Sequence, residues 1–198
     1  MFQLSESNKT YLLELSRKTI QEFLQSGGKP SGVPAQAELL EKRGVFVTLH
    51  RGGHLRGCIG YIVPLFPLYE AVINCSISAA TDDPRFQPLS PEELDAIEIE
   101  ISVLSSAEIV QDIGQIEIGV HGLMINRKGA RGLLLPQVAL EHGWDREKFL
   151  SETCRKAHLQ LDAWKKGAII ESFTAIIFRE ADYDLKKDHP SVAKGGSQ

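Results

Sequence analysis

His54-Leu55-Arg56-Gly57-Cys58-Ile59-Gly60-Tyr61 follows Val45-Phe46-Val47-Thr48-Leu49-His50, with Arg51-Gly52-Gly53 between the two runs. The first run is rich in β-branched residues, and a short glycine-bearing connector of this kind joins the arms of a β-hairpin. Side chains alternate along a strand. Leu55, Gly57, Ile59 and Tyr61 therefore fall on one face, and His54, Arg56, Cys58 and Gly60 on the other. With Arg51 to Gly53 as a three-residue loop, His50 opposes His54, Thr48 opposes Arg56 and Phe46 opposes Cys58, while Val45, Val47 and Leu49 join Leu55 and Ile59 on an apolar face. A two-residue loop at Gly52-Gly53 shifts the pairing by one and breaks that match. The longer loop is the expectation, and it gathers Thr48, His50, His54, Arg56 and Cys58 into one polar patch.

The patch has the composition of a thiol site. A neighbouring arginine favours the thiolate, so Arg56 is expected to activate Cys58 as a nucleophile or redox thiol, with His54 carrying a proton. Gly57 and Gly60 strip side chains from around the sulfur, and together with Thr48 they are candidate substrate contacts. A plainer reading stands beside this one: a free cysteine is often a small packing residue, and strand glycines often mark a bulge or close packing. His50, His54 and Cys58 are all metal-ligand types, but no separate ligand motif accompanies them, so no metal site is expected.

Leu55-Arg56-Gly57-Cys58-Ile59-Gly60 resembles the signature hexapeptide of the AMMECR domain family. Further matches follow in order: Asp83-Pro84-Arg85-Phe86, Ile101-Ser102-Val103-Leu104, His121-Gly122-Leu123 and Gly132-Leu133-Leu134-Leu135-Pro136-Gln137-Val138, with Trp144 and Trp164 also in place. The resemblance runs from about Leu12 to Phe178. It implies a larger and a smaller α+β lobe with a ligand cleft between them, but no settled reaction and no named cofactor. Its implied partners are Memo-like and radical SAM proteins, in proposals of small-molecule or RNA-base modification. Around that cleft, Asp83 and Arg85 are either a salt-bridged turn brace or, through Arg85, an anion site. His121, at a turn, is either local structure or a second proton carrier.

The 198 residues carry a net charge of −4 from 26 acidic and 22 basic side chains, which leaves no global footprint for duplex nucleic acid. Arg127, Lys128 and Arg131 cluster around one turn and read as a solvated loop rather than a phosphate site. The three cysteines, Cys58, Cys75 and Cys154, have unrelated spacings. Without CxxC, HExxH or a phosphate-binding glycine loop, zinc, thioredoxin and P-loop chemistry have no support, and a reducing cytoplasmic setting fits best. Met1 to Lys9 lacks an apolar signal core, and no run approaches the roughly 18 to 20 apolar residues of a membrane span. Neither export nor membrane insertion is expected.

Outside the hairpin, spacing predicts a helix over 7–25 stopped by Gly27-Gly28, a loop over 29–35, a short helix over 38–42, and a buried helix over 68–80 in which Cys75 packs. Ser90-Pro91-Glu92-Glu93 reads as a capping box. Ile97 to Val103 alternates strictly, as a strand does. Further strands are expected at 116–120, 123–126, 133–135 and 169–178, with turns at 121–122 and 128–132. Helices follow Pro136 and Asp145, and 188–198 reads as a loose tail. Strands cluster in hairpins, so the class is α+β with mainly antiparallel sheet and flanking helices. The chain reads as a single domain with a soft lobe boundary near 86–90. Two functions are in play: a Cys58-dependent enzyme, which the residues favour, and a non-catalytic ligand- or protein-binding adaptor.

Overall fold

The computed structural model describes residues 2–183 and 185. In chain order the elements are α1 (Glu6–Ser26), α2 (Ala37–Leu40), β1 (Val45–Arg51), β2 (His54–Tyr61), α3 (Leu68–Thr81), β3 (Ile97–Leu104), β4 (Glu108–Ile109), β5 (Gly122–Arg127), β6 (Ala130–Leu134), α4 (Pro136–Glu141), α5 (Arg146–Lys156), β7 (Ile169–Phe173) and β8 (Ala175–Arg179). They build two four-stranded antiparallel sheets, ordered β2-β1-β3-β8 and β4-β7-β5-β6. The expected α+β class with flanking helices is what forms.

In the first lobe α1 lays Leu12, Leu13 and Ile20 against α3, whose apolar and small residues include a fully buried Cys75. Both helices cover the sheet face carrying Val45, Val47, Leu49, Ile97, Ile99, Ile101 and Val103. Gly27, left-handed at φ 70°, ends α1 as its position predicts. A buried pair ties α1 to the residue that follows β8: Glu180 accepts from Arg17 Nη2 (2.6 Å) and from the Ile99 amide (2.8 Å), and Arg17 also donates to the Leu94 and Ile97 carbonyls. In the second lobe, Phe149, Leu150 and Cys154 of α5 pack with Leu123, Ile125 and Ile170. A third cluster, formed by Leu104, Met124, Leu133, Leu135 and Phe173 with Phe46, Ile62 and Val138, lies between the sheets. The order of layers is helix, sheet, sheet, helix.

The hairpin register departs from expectation. Its loop is the two-residue Gly52-Gly53, with φ of 56° and 79°, the double positive that this tight turn requires. Arg51 pairs with His54 and His50 with Leu55, then the register shifts at Leu49/His50 so that Leu49 pairs with Gly57, Thr48 with Cys58 and Phe46 with Gly60. Arg56 is the extra residue of a β-bulge. The bulge reconciles a short turn with an apolar register, a combination that strict alternation cannot display. Leu55 moves to the face of Cys58, and His54 leaves it.

Other differences share this character. Residues 116–120 form no strand, because Val120 and His121 both donate back to the Glu117 carbonyl around a left-handed Gly119. The expected strand 169–178 is two strands in different sheets, broken at Thr174. The turn expected over 128–132 closes at Lys128-Gly129, which lets Ala130–Leu134 pair throughout. The two-residue β4 was not expected. The chain crosses between sheets at 105–107 and returns at Thr174, not at 86–90, which lies within the first lobe. The crossings are neighbours: Ser105 N donates to Thr174 O at 2.9 Å, and Thr174 N to Ser105 Oγ at 3.0 Å. The expected tail 188–198 lies outside the described residues.

Candidate functional site

Antiparallel register sets Cys58, Thr48, Glu100 and Arg179 side by side across β2, β1, β3 and β8. This polar row faces the second lobe. Thr48 Oγ1 donates to Cys58 Sγ at 3.3 Å, and Arg179 Nε donates to Glu100 Oε2 at 2.7 Å. From the opposite lobe, Gln137 at the start of α4 donates to Glu100 Oε1 at 3.3 Å. Glu100 is 3% exposed, and its buried charge is matched by the Arg179 guanidinium.

β2 is an edge strand, and an edge strand leaves peptide groups in need of partners. At Cys58 both are taken: its N–H donates to Asp83 Oδ2 at 2.8 Å, and its carbonyl accepts from Arg85 Nη2 at 3.4 Å. Asp83 in turn accepts from Arg85 Nε at 2.9 Å, Nη2 at 2.7 Å and the Arg85 amide at 3.1 Å. The Asp83-Pro84-Arg85 turn is thus the brace that its sequence suggested, and it also clamps the backbone of Cys58. Arg85's hydrogen bonds, helped by the two amides, hold the Asp83 carboxyl down to about 2.

Cys58 is half-buried and opens into a cleft of about 430 Å³ between the lobes. Thr48, His50, Arg85, Glu100, Gln137, Glu141 and Lys156 supply its polar lining, while Phe46, Leu55, Leu135 and Val138 supply apolar wall. Burial pushes the Cys58 thiol up. Thr48 and Arg85 pull against that, and Asp83 and Glu100 push further up. The resting group is a neutral thiol.

Arg56 is engaged elsewhere. The bulge turns Arg56 towards the 3-10 turn Pro91–Ala96, where Nε and Nη2 form a fork on Glu93 at 3.0 and 2.9 Å and Nη1 donates to Gln87 O at 3.0 Å. Glu93 also accepts from Arg51 Nη1 at 2.6 Å and reaches back to the Ser90 amide at 3.1 Å, as the capping box predicted. Arg56 is the first cause of a Glu93 carboxyl held at about 2. It latches β2 to that turn.

The glycines of the hexapeptide serve packing rather than substrate access. A Cβ on Gly57 would overlap the Ala79 carbonyl at the end of α3, and one on Gly60 would overlap the Phe46 ring and the Val45 carbonyl. His54 is exposed at the hairpin end, away from Cys58. His121 accepts from the Glu117 amide through Nδ1 at 3.0 Å and lines a different groove. Among the described residues no three His, Cys, Asp or Glu side chains form a cluster that could hold a metal ion.

Of the expected residues, the structure brings together Cys58, Thr48, Arg85 and Asp83, and separates Arg56, His54 and His121 from the thiol. Sequence reasoning missed Glu100, Gln137, Arg179 and Leu55 as neighbours of the site. Glu100 was only one of the polar positions of an alternating strand. Its signal lay in register with Thr48, and Gln137 stood inside one of the matched motifs.

The chain matches the AMMECR1 family over residues 13–178. A protein of Thermococcus onnurineus is 43% identical over 194 residues, covering 91% of this chain and 94% of that one. A protein of Methanothermobacter thermautotrophicus is 46% identical over 186 residues, covering 89% and 96%. The chain belongs to the AMMECR1 family. The crystal structure of Pyrococcus horikoshii protein PH0010, 42% identical, superimposes with a TM-score of 0.82 over 85% of this chain and 89% of that one. In this AMMECR1-family chain no helix among the described residues is long and apolar enough to cross a membrane.

Proposed function

We propose that the protein acts on a small molecule or an RNA nucleobase held in the Cys58 cleft, with the Cys58 thiol as the reacting group. One observation carries this reading: of three free cysteines, Cys75 and Cys154 are buried in packing, while Cys58 opens into a cleft with its backbone clamped on both sides. A clamped backbone fixes the sulfur, as positioned chemistry requires. Arg85 and Lys156 offer positive charge to an anionic part of the substrate, and Phe46, Leu55 and Val138 offer surface to an apolar part. His50, which lines the same cleft, takes the proton-carrying role first expected of His54 and His121. Memo-like and radical SAM proteins are the proposed partners, in the cytoplasm.

The adaptor reading has its own support. The resting thiol is neutral, its hydroxyl partner is a threonine, and among the described residues no imidazole bonds to it. An enzyme here needs the bound substrate or a partner to draw the proton away; an adaptor needs nothing. A Cys58→Ser exchange separates the two, because it keeps shape while removing the thiol. In a strain lacking its own copy, the variant should reach wild-type abundance yet fail to complement. Full complementation by Cys58→Ser, with failure of Arg85→Glu at normal abundance, would establish a binding module instead.

A further inference from the structure

The seam between the sheets has a second cleft, of about 260 Å³, set off from the first by Leu133, which lines both. Its charged lining is Lys42 and Arg43 from the first lobe with Arg131 and Glu171 from the second, three cations to one carboxylate. Lys42 and Arg131 have no carboxylate within ion-pair distance among the described residues. Arg43 shares Nη2 with Glu41 at 2.6 Å, outside the cleft lining, and the Phe2 ring lies over its guanidinium at 4.0 Å. Its Nε is buried without an acceptor. Ile62, Val63, Met124 and Phe173 form an apolar wall beside these cations.

Lys128 and Arg131 are exposed, as the solvated-loop reading expects, but the three basic residues do not form one group. With the turn closed at Lys128-Gly129, alternation along β6 sends Arg131 to the seam face beside Leu133, while Arg127 sits near enough to Asp162 for its charge to be felt there. The cluster divides.

We propose that this second cleft binds a small molecule bearing a phosphate or carboxylate group, with Arg131, Arg43 and Lys42 on the oxyanion and the wall around Met124 and Phe173 against its apolar remainder. Guanidinium forks match such oxyanions, and an excess of cations in a concave seam that also contains dry surface is the pattern of a small-ligand site. Each lobe supplies at least one of the cations, so the ligand bridges the lobes from the side opposite Cys58. The site stands independently of any role for the thiol.

Methionine-methyl NMR tests it directly, because the chain has two methionines and Met124 lines this cleft but not the other. Phenyl phosphate and benzoate are the anionic probes and benzyl alcohol the neutral one. At least one anion should shift the Met124 signal saturably where benzyl alcohol does not, and the tighter of the two identifies the oxyanion. Arg131→Gln should weaken that binding about tenfold or more, the scale of a lost charge-assisted hydrogen bond, while Lys156→Gln in the Cys58 cleft should leave it unchanged. The site is overturned if neither anion saturates, if benzyl alcohol binds as well, or if loss follows Lys156→Gln rather than Arg131→Gln.

Discussion

At the scale of single residues, the family hexapeptide divides its labour. Leu55 and Cys58 face the cleft, Ile59 packs against the first core, Arg56 is a latch, and the two glycines admit neighbours too close for any Cβ. Cys58 should therefore alkylate ahead of the two fully buried cysteines, slowly near neutral pH and faster as pH rises past the ordinary thiol range, since burial raises its pKa. Arg56→Ala should leave that pH profile in place, whereas Arg85→Ala should move it further up. A profile that follows Arg56 would restore the activation mechanism suggested by sequence spacing. Gly57→Ala should destabilise the fold by about 1 to 3 kcal/mol, because the only relief from overlap with Ala79 is a shift of β2 away from α3. Thermal unfolding reads this, and an unchanged midpoint would mean that the contact is loose.

At the scale of elements, two carboxylates fasten the edge strand. Asp83 joins β2 to the end of α3, and Glu93 joins it to the turn before β3. Both carboxyls sit at about 2 in the folded chain, below their unfolded values of roughly 4. The stability they contribute is present above the unfolded values and drains away as pH falls from about 5 towards about 2. Asp83→Asn should flatten the urea midpoint's fall over that window, most plainly in probes of β2 near Cys58. An unchanged acid slope would remove Asp83 from the fastening. Elements themselves were legible from sequence wherever their signals were local: the glycine stop of α1, the capping box, Pro136 and Asp145 opening α4 and α5. The bulge and the break at Thr174 were not, since each depends on which strand pairs with which, and at 116–120 a local turn around Gly119 overrides the strand pattern.

At the scale of the whole molecule, the α+β class was readable and the site only in part. Cys58, Asp83 and Arg85 could be found because each lies in a short motif that is readable by itself. Glu100 could not, because burial of a strand's second face is decided by a lobe that begins beyond it, and Gln137, although inside a matched motif, gained its role only from that pairing across the lobes. The two adjacent crossings also make residues 108–173 an insertion within the first lobe, with Ser105 and Thr174 as its paired stems. That topology has a consequence for the nascent chain. As synthesis proceeds, the inserted lobe emerges whole, while the lobe begun earlier still lacks its last strand. Until Arg179 and Glu180 leave the ribosome, Glu100 and Arg17 have no counter-charge to meet, so the first lobe to be started is the last to close.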